Sequence, residues 1–250
     1  MEVKLTIDRG NTAIKGALWA SDGTIIAADK GDESMSAGEL ADALRRRAGV
    51  ETLGAAVYCS VVTSDRAEDL ASLDPLCRCV IDLCASTPMP ITIAYRTPET
   101  LGADRIAAAL GAVALAGNSR PLLVSDIGTA VTYDLVKPGP VYVGGNIAPG
   151  MHMRLRALAA FTDTLPAVDP EIGDTPMWGE TTAEAMRSGA VRGLCAELEY
   201  YHSAAGANTL AVLTGGSAKF LADSGLLTFD YIHDPYLVHR GLYSIIKDEN

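Results

Sequence analysis

The sequence contains no Gly-rich loop ending in Gly-Lys-Ser or Gly-Lys-Thr. This excludes a Walker-type phosphate loop, in which backbone N–H groups cradle phosphates and the Lys reaches them. No run approaches the roughly 18 apolar residues needed to span a bilayer. The start of the chain is a strand pattern with no signal-peptide layout, so no membrane partner and a cytoplasmic location are expected. Positive charge is scarce: 20 Lys and Arg against 31 Asp and Glu give a formal net charge of −11. An acidic surface repels nucleic acid, so no nucleic-acid partner is expected. It also repels free nucleotide, and an ATP site here must rely on Mg²⁺, local backbone N–H groups and a few basic side chains. The five cysteines (Cys59, Cys77, Cys79, Cys84, Cys195) are an odd count that does not suit a disulfide framework. Cys77, Cys79 and Cys84 cluster without a fourth ligand, which leaves reduced thiols on or beside a buried strand. His152, His202, His233 and His239 show no metal spacing, and no Ser-His-Asp or Cys-His arrangement stands out. His202 and His239 read as helix-surface or interface residues.

What is present is enough apolar material for a sizeable core. Apolar residues make up 48% of 250 and charged residues 20%, which argues against disorder. Val3, Leu5 and Ile7 alternate with polar residues, the period of a strand. Further strands are expected at Ala13–Trp19, Thr24–Ala28, Ala55–Val62, Cys79–Leu83 and Ile91–Tyr95. Helices are expected from the Ser36 cap to Ala48, at Asp65–Ser72 and at Ala103–Ala116. The order then repeats. Strands are expected near Leu122–Ser125, Ala130–Val136, Val141–Ile147, Leu210–Thr214 and Phe229–His233, with helices at Met151–Phe161, Thr182–Ala204, Ser217–Asp223 and Leu237–Lys247. Such a repeat implies two mixed α/β lobes, 1–117 and 118–250, with the ligand site in the cleft between them. The Pro- and acid-rich stretch Thr162–Met177 is expected to be a mobile or partner-contacting loop.

One motif occurs twice. Asp8-Arg9-Gly10-Asn11-Thr12 and Asp126-Ile127-Gly128-Thr129 each follow an apolar strand pattern, 118 positions apart. Glycine permits a tight turn and close backbone approach to a ligand. Such N–H groups bind phosphate, and a strand-end carboxylate can hold a metal ion or its waters. An Asp-Gly-Asn turn is also an ordinary hairpin turn; it is the internal repeat that favours the functional reading. Lys15 can reach a terminal phosphate as a point charge. Gly215 and Gly216 follow a strand and open a helix, which suits close approach to a base or ribose. Gly102-Ala103-Asp104-Arg105 opens an apolar helix; Asp104 can accept a hydroxyl proton and Arg105 can clamp an anionic group.

These pieces together resemble the type III pantothenate kinase family. The resemblance rests on Asp8–Thr12, Gly102–Arg105, Asp126–Ala130, Gly144-Gly145-Asn146-Ile147-Ala148-Pro149-Gly150, Gly179–Gly189 and Thr214-Gly215-Gly216, in the family's order. It implies the actin-like ATPase fold of the acetate and sugar kinases, with two duplicated ribonuclease-H-like lobes around a central cleft. It implies ATP-dependent phosphorylation of pantothenate to 4′-phosphopantothenate, the first step of coenzyme A biosynthesis. A homodimer, Mg²⁺ and a monovalent cation (K⁺ or NH₄⁺) are also implied. By resemblance, Asp8 organises Mg²⁺, and Arg9, Gly10, Asn11, Thr12, Ala13, Ile14 and Lys15 hold ATP phosphates. Asp104 is the general base, and Tyr95, Gly102, Ala103, Arg105 and Thr182 line the pantothenate site. Asp126 binds the monovalent cation, Thr129 contacts ATP, and Gly215 and Gly216 lie near the adenosine. Arg9 departs from a slot often apolar in the family, Glu180 from one that is often basic, and Lys15 occurs in some relatives only. Two other readings stand beside this one. A non-catalytic nucleotide-binding regulator of the same fold should have lost a carboxylate, yet Asp8, Asp104 and Asp126 are all present. A sugar kinase should have room for an insertion domain, which this chain lacks.

Overall fold

The computed structural model describes residues 2–247. In it, β1 (Val3–Arg9) is buried along its whole length. Its pleat explains why. Val3, Leu5 and Ile7 enter one apolar core, while Thr6 faces the opposite side and meets His239. β2 (Ile14–Trp19) and β3 (Ile25–Gly31) continue the sheet antiparallel. α1 (Ala37–Ala48) starts with a capping box, in which Ser36 takes the Glu39 N–H and Glu39 takes the Ser36 N–H. Gly49 ends it in the left-handed region. β4 (Leu53–Ser60) and β5 (Cys77–Asp82) then add parallel strands, with α2 (Arg66–Leu73) between them. The sheet order is β3-β2-β1-β4-β5. As its unbroken apolar run suggests, β4 is buried at every position.

A short strand β6 (Thr92–Ile93) and α3 (Ala103–Ala116) follow. The second half then repeats the plan. β7 (Leu122–Asp126), β8 (Ala130–Lys137) and β9 (Val141–Pro149) are succeeded by α4 (Met151–Phe161) and α5 (Thr182–Ala205). β10 (Leu210–Thr214), α6 (Ala218–Asp223), β11 (Tyr231–His233) and α7 (Leu237–Ile246) complete the chain. The strand order β9-β8-β7-β10-β11 matches that of the first half position for position. β7 is antiparallel to β8 and parallel to β10, as β1 is to β2 and β4. This duplicated mixed sheet is the actin-like ATPase plan.

The chain groups into two compact units. The first runs to Gly117 and also takes Pro140–Tyr142 and the chain from Tyr236 onward; the second holds Asn118–Gly139 and Val143–Pro235. A single boundary after residue 117 therefore misses two returns. Thr92 and Ile93 pair with Val141 and Tyr142. α7 lies so close to α3 that a Cβ on Gly241 would sit 1.8 Å from the Ala107 carbonyl oxygen, and one on Gly111 2.0 Å from that of Leu237. Only glycine allows two helix backbones to meet this closely. Contacts of this kind join residues remote in sequence and leave no trace in local periodicity. Among the described residues no helix is long and apolar enough to cross a membrane.

Candidate active site

Asp8 ends the central strand of the first unit, on the face opposite Leu5 and Ile7. Its neighbours are fixed by register: Cys59 of β4 stands on one side and Lys15 of β2 on the other. The Cys59 thiol donates to Asp8 Oδ1 at 3.4 Å, and Lys15 Nζ lies 3.8 Å from Oδ2. Cys59 is wholly buried. Burial first, then the charges of Asp8 and Asp104, push its thiol well above the ordinary range. Asp8 and Asp104 thus bear on one buried atom, although one comes from a hairpin and the other from a helix N-terminus. Beneath Asp8, Thr6 Oγ1 accepts from Trp19 Nε1 at 2.9 Å and pairs with His239 Nδ1 at 3.0 Å. Tyr243 stacks on Trp19 with ring centres 4.7 Å apart. His239 is buried, not on a helix surface; burial, outweighing Asp8, lowers its pKa to about 4.

Arg9 does not point where a phosphate ligand must. One residue beyond Asp8, the pleat turns it under the sheet with Leu5 and Ile7. There its Nε and Nη2 engage both oxygens of Asp69, the second at 2.9 Å, and Nη2 also meets the Met35 carbonyl at 2.7 Å. Asp69 in turn accepts from the Tyr58 hydroxyl and the Ala37 N–H, both at 2.8 Å. Burial opposes the Arg9 charge, but Asp69, with Tyr58 and Asp65, more than offsets it and raises its pKa. The Ile14 side chain is likewise committed to the core. Asn11 and Thr12 are exposed at the turn, with Gly10 and Ala13 half-buried.

The glycines separate into two groups. Those at 102, 150, 179 and 215 are required by the protein's own packing. An added Cβ would meet the Asp104 carboxylate at 2.4 Å, the Gly128 carbonyl at 2.1 Å, the Ala185 N–H nitrogen at 2.3 Å and the Asp126 carboxylate at 2.4 Å, respectively. Gly10 and Gly128 have no such contact: the nearest atoms lie at 3.5 and 3.6 Å, and Gly216 meets nothing within 4 Å. Neither turn glycine is among those in the left-handed region. The protein's own packing does not require glycine at 10, 128 or 216. The N–H groups of Gly10 and Gly128 themselves donate to Ala13 and Ala130 within their turns.

At the start of α3 the Asp104 carboxylate takes the Arg105 N–H at 2.8 Å and leans over Gly102. The Arg105 guanidinium lies 6.0 Å from the centre of the Tyr95 ring, which packs edge-on to Tyr142. Tyr95, Gly102, Asp104 and Arg105 therefore form one patch.

In the second unit the Asp126 turn is clamped. Ile127 donates to the Thr214 carbonyl at 2.7 Å and accepts from Ser217 at 3.0 Å. Gly150 caps the turn by donating to the Thr129 carbonyl at 3.0 Å. Thr182 is exposed at the first turn of α5, where Thr181 and Glu184 form a second capping box. The loop expected to be mobile or partner-contacting is hydrogen-bonded to α5. Arg187 donates to the carbonyls of Asp169 and Asp174, and Arg192 to those of Thr175 and Pro176. Ile172, Met177 and Trp178 remain exposed on it.

Periodicity alone does not single out Cys59, Thr6 or His239. Cys59 had a usable signal: aligning the ends of two parallel strands sets it opposite Asp8.

Residues 4–204 match the family model for type III pantothenate kinase. The chain belongs to this family. It is 37% identical over 260 aligned residues to a type III pantothenate kinase of Porphyromonas gingivalis, covering 99% of both chains. It is 35% identical to that of Bacteroides fragilis, again over 99% of both. Among solved structures, the activator of 2-hydroxyisocaproyl-CoA dehydratase from Clostridium difficile superposes with a TM-score of 0.60. The identity is 12%, covering 99% of this chain and 95% of that one, so this likeness shows the shared fold.

Proposed function

We propose that this kinase transfers the γ-phosphoryl group of ATP to the hydroxyl of pantothenate, giving 4′-phosphopantothenate in the first step of coenzyme A biosynthesis. The observations that support the residue roles are a strand-end carboxylate, Asp8, flanked by Lys15 and Cys59, and a helix-opening carboxylate, Asp104, beside Arg105 and Tyr95. One carboxylate ends a phosphate-type hairpin; the other opens the helix that also presents Arg105 to Tyr95. Asp104 is the general base and takes the pantothenate hydroxyl proton as the oxygen meets the γ-phosphorus. Arg105, with Tyr95, holds the anionic substrate, and Gly102 and Ala103 shape its floor. Thr182 contributes a hydroxyl to pantothenate. The exposed Asn11–Thr12 turn offers backbone donors to the phosphates, where Gly10 leaves room for close approach. Lys15 adds positive charge there. Thr129 and Gly216 contact the nucleotide; Gly215 acts by giving way to Asp126.

Among the described residues no group of three or more His, Cys, Asp or Glu is arranged to hold a metal. That suits Mg²⁺, which commonly takes one or two carboxylates plus substrate phosphates and water. Asp8 is its carboxylate, and the ion, when bound, supplies charge neutralisation to the phosphates. Asp126, at a clamped strand end, is the carboxylate for a monovalent cation. Ile172, Met177, Trp178 and Phe161 at the end of α4 are exposed large hydrophobic side chains of the kind a homodimer contact would cover. The free cysteines fit a reducing cytoplasm.

The test is a substrate screen with ATP, Mg²⁺ and K⁺, running pantothenate beside several sugars. Pantothenate should be the acceptor. Asp104→Asn keeps the acceptor for the Arg105 N–H but loses the base; kcat should fall on the order of 10²–10⁴-fold with the melting temperature retained. Preference for a sugar overturns the substrate, and wild-type turnover in the variant overturns the base.

A further inference from the structure

Asp8 is a strand-end carboxylate held on both oxygens, and the two holds differ in kind. Lys15, on Oδ2, has a side chain 46% exposed and can swing to a phosphate. Cys59, on Oδ1, is 0% exposed and sits on β4, beside the central strand β1, in direct register with Asp8. It has nowhere else to go. We propose that Cys59 is a positioning residue: its thiol fixes the orientation of the Asp8 carboxylate from inside the sheet, leaving Oδ2 for the nucleotide side. This rests on the reading of Asp8 given above.

The chemistry is consistent at each point. A donor must keep its proton, and a wholly buried thiol set against a carboxylate oxygen keeps it. The same protonation makes it a poor nucleophile, so a covalent role does not fit. A hydrogen bond to a charged acceptor is stronger than one between neutral groups, but a thiol is a weak donor, so the effect of losing it is modest. The arrangement also gives Lys15 a defined exchange. While Cys59 holds Oδ1, departure of Lys15 does not release the carboxylate to rotate.

The test compares Cys59→Ala and Cys59→Ser with Asp8→Asn as the control, measuring KM for MgATP, KM for pantothenate and the Mg²⁺ dependence. Cys59→Ala should raise KM for MgATP about 3- to 10-fold. It should also shift the Mg²⁺ requirement upward and leave KM for pantothenate in place. Cys59→Ser retains a donor and should restore most of the loss. A general packing defect would move all the constants together and would not be rescued by Ser. If Cys59→Ala does not fold, Cys59→Val, which fills the volume without a donor, takes its place. Wild-type constants in the donorless variant, or equal losses in the Ala and Ser variants, overturn the proposal while leaving Asp8 in its role. Wild-type MgATP kinetics in Asp8→Asn would instead overturn the reading of Asp8 itself.

Discussion

The two Asp-Gly turns are the same device built with different materials. Each ends the central strand of its sheet, and in each the following residue turns beneath the sheet. In the first unit that residue is Arg9, held by Asp69; in the second it is Ile127, fully buried in an apolar core. The strand that follows differs too. Ser60 stands opposite Arg9 at the end of β4 and the next N–H, that of Val61, donates to the Arg9 carbonyl, whereas Gly215, with φ of +100°, occupies the place of Ser60 after β10. The first turn is thus held by charge and hydrogen bonds, with Cys59, Lys15 and the His239–Thr6 pair around Asp8. The second has backbone hydrogen bonds from Ile127, Ser217 and Gly150, and its carboxylate is backed by close packing against Gly215 rather than by charge. Duplication conserves the position of the carboxylate and leaves open how it is supported.

The largest effect expected from this difference is at Arg9. Arg9→Leu makes the first turn resemble the second in one step, yet it leaves the Asp69 charge buried without its cation. The cost should be about 3–5 kcal/mol in urea unfolding. Adding Asp69→Asn removes the orphaned charge while keeping one acceptor, for the Ala37 N–H, and turning an NH2 toward the Tyr58 oxygen, and should recover part of it. A silent Arg9→Leu would show that the ion pair does not support the first turn.

Lowering pH should loosen the first unit by its own route. His239 has an ordinary pKa of 6.5 and a folded value of about 4, set by burial, with Asp8 pulling it up and Lys15 down. The unfolded chain therefore binds a proton that the folded chain refuses. This contribution to stability is complete above pH 6.5 and is lost as pH falls toward 4, by on the order of 3 kcal/mol. Carboxylates titrate in the same range, so the measured quantity is the difference between wild type and His239→Gln. That difference should narrow steadily from pH 7 to 4.5; a constant difference would mean that His239 is not held neutral by burial.

The sequence makes much of this readable, and the gaps have a common cause. The strands and helices follow from period 2 and period 3.6, and both capping boxes lie in plain view at Ser36–Glu39 and Thr181–Glu184. The phosphate-type turns and the Asp104 helix start are local motifs and are equally legible. The role of Arg9 was legible in principle: it shares pleat phase with Leu5 and Ile7, and a charge in that phase needs a buried partner. Its partner Asp69 lies 60 residues away, on a helix whose surface gives no sign of it. The place of α7 against α3, and hence the burial of His239, depends on two glycines 130 positions apart meeting face to face. Local periodicity carries no information about such meetings. Nor does it separate a glycine required by packing, such as Gly215, from one with open space around it, such as Gly216.

That last distinction gives the smallest and sharpest test. Gly215→Ala places a methyl 2.4 Å from Asp126 Oδ1 and 2.5 Å from the Ile127 nitrogen, at a backbone angle that alanine adopts reluctantly. The conformational part costs roughly 1–2 kcal/mol, and the clash is relieved by pushing Asp126 aside. Melting temperature and the response to K⁺ should therefore fall together. Gly216→Ala has open space around it and should leave the melting temperature unchanged, moving KM for ATP instead. Changing Val61, just past the end of β4, to Ala should do neither, because the first turn uses only its backbone N–H. If Gly215→Ala melts like wild type and keeps its cation response, close packing is not what holds the second carboxylate, and the contrast between the two turns collapses.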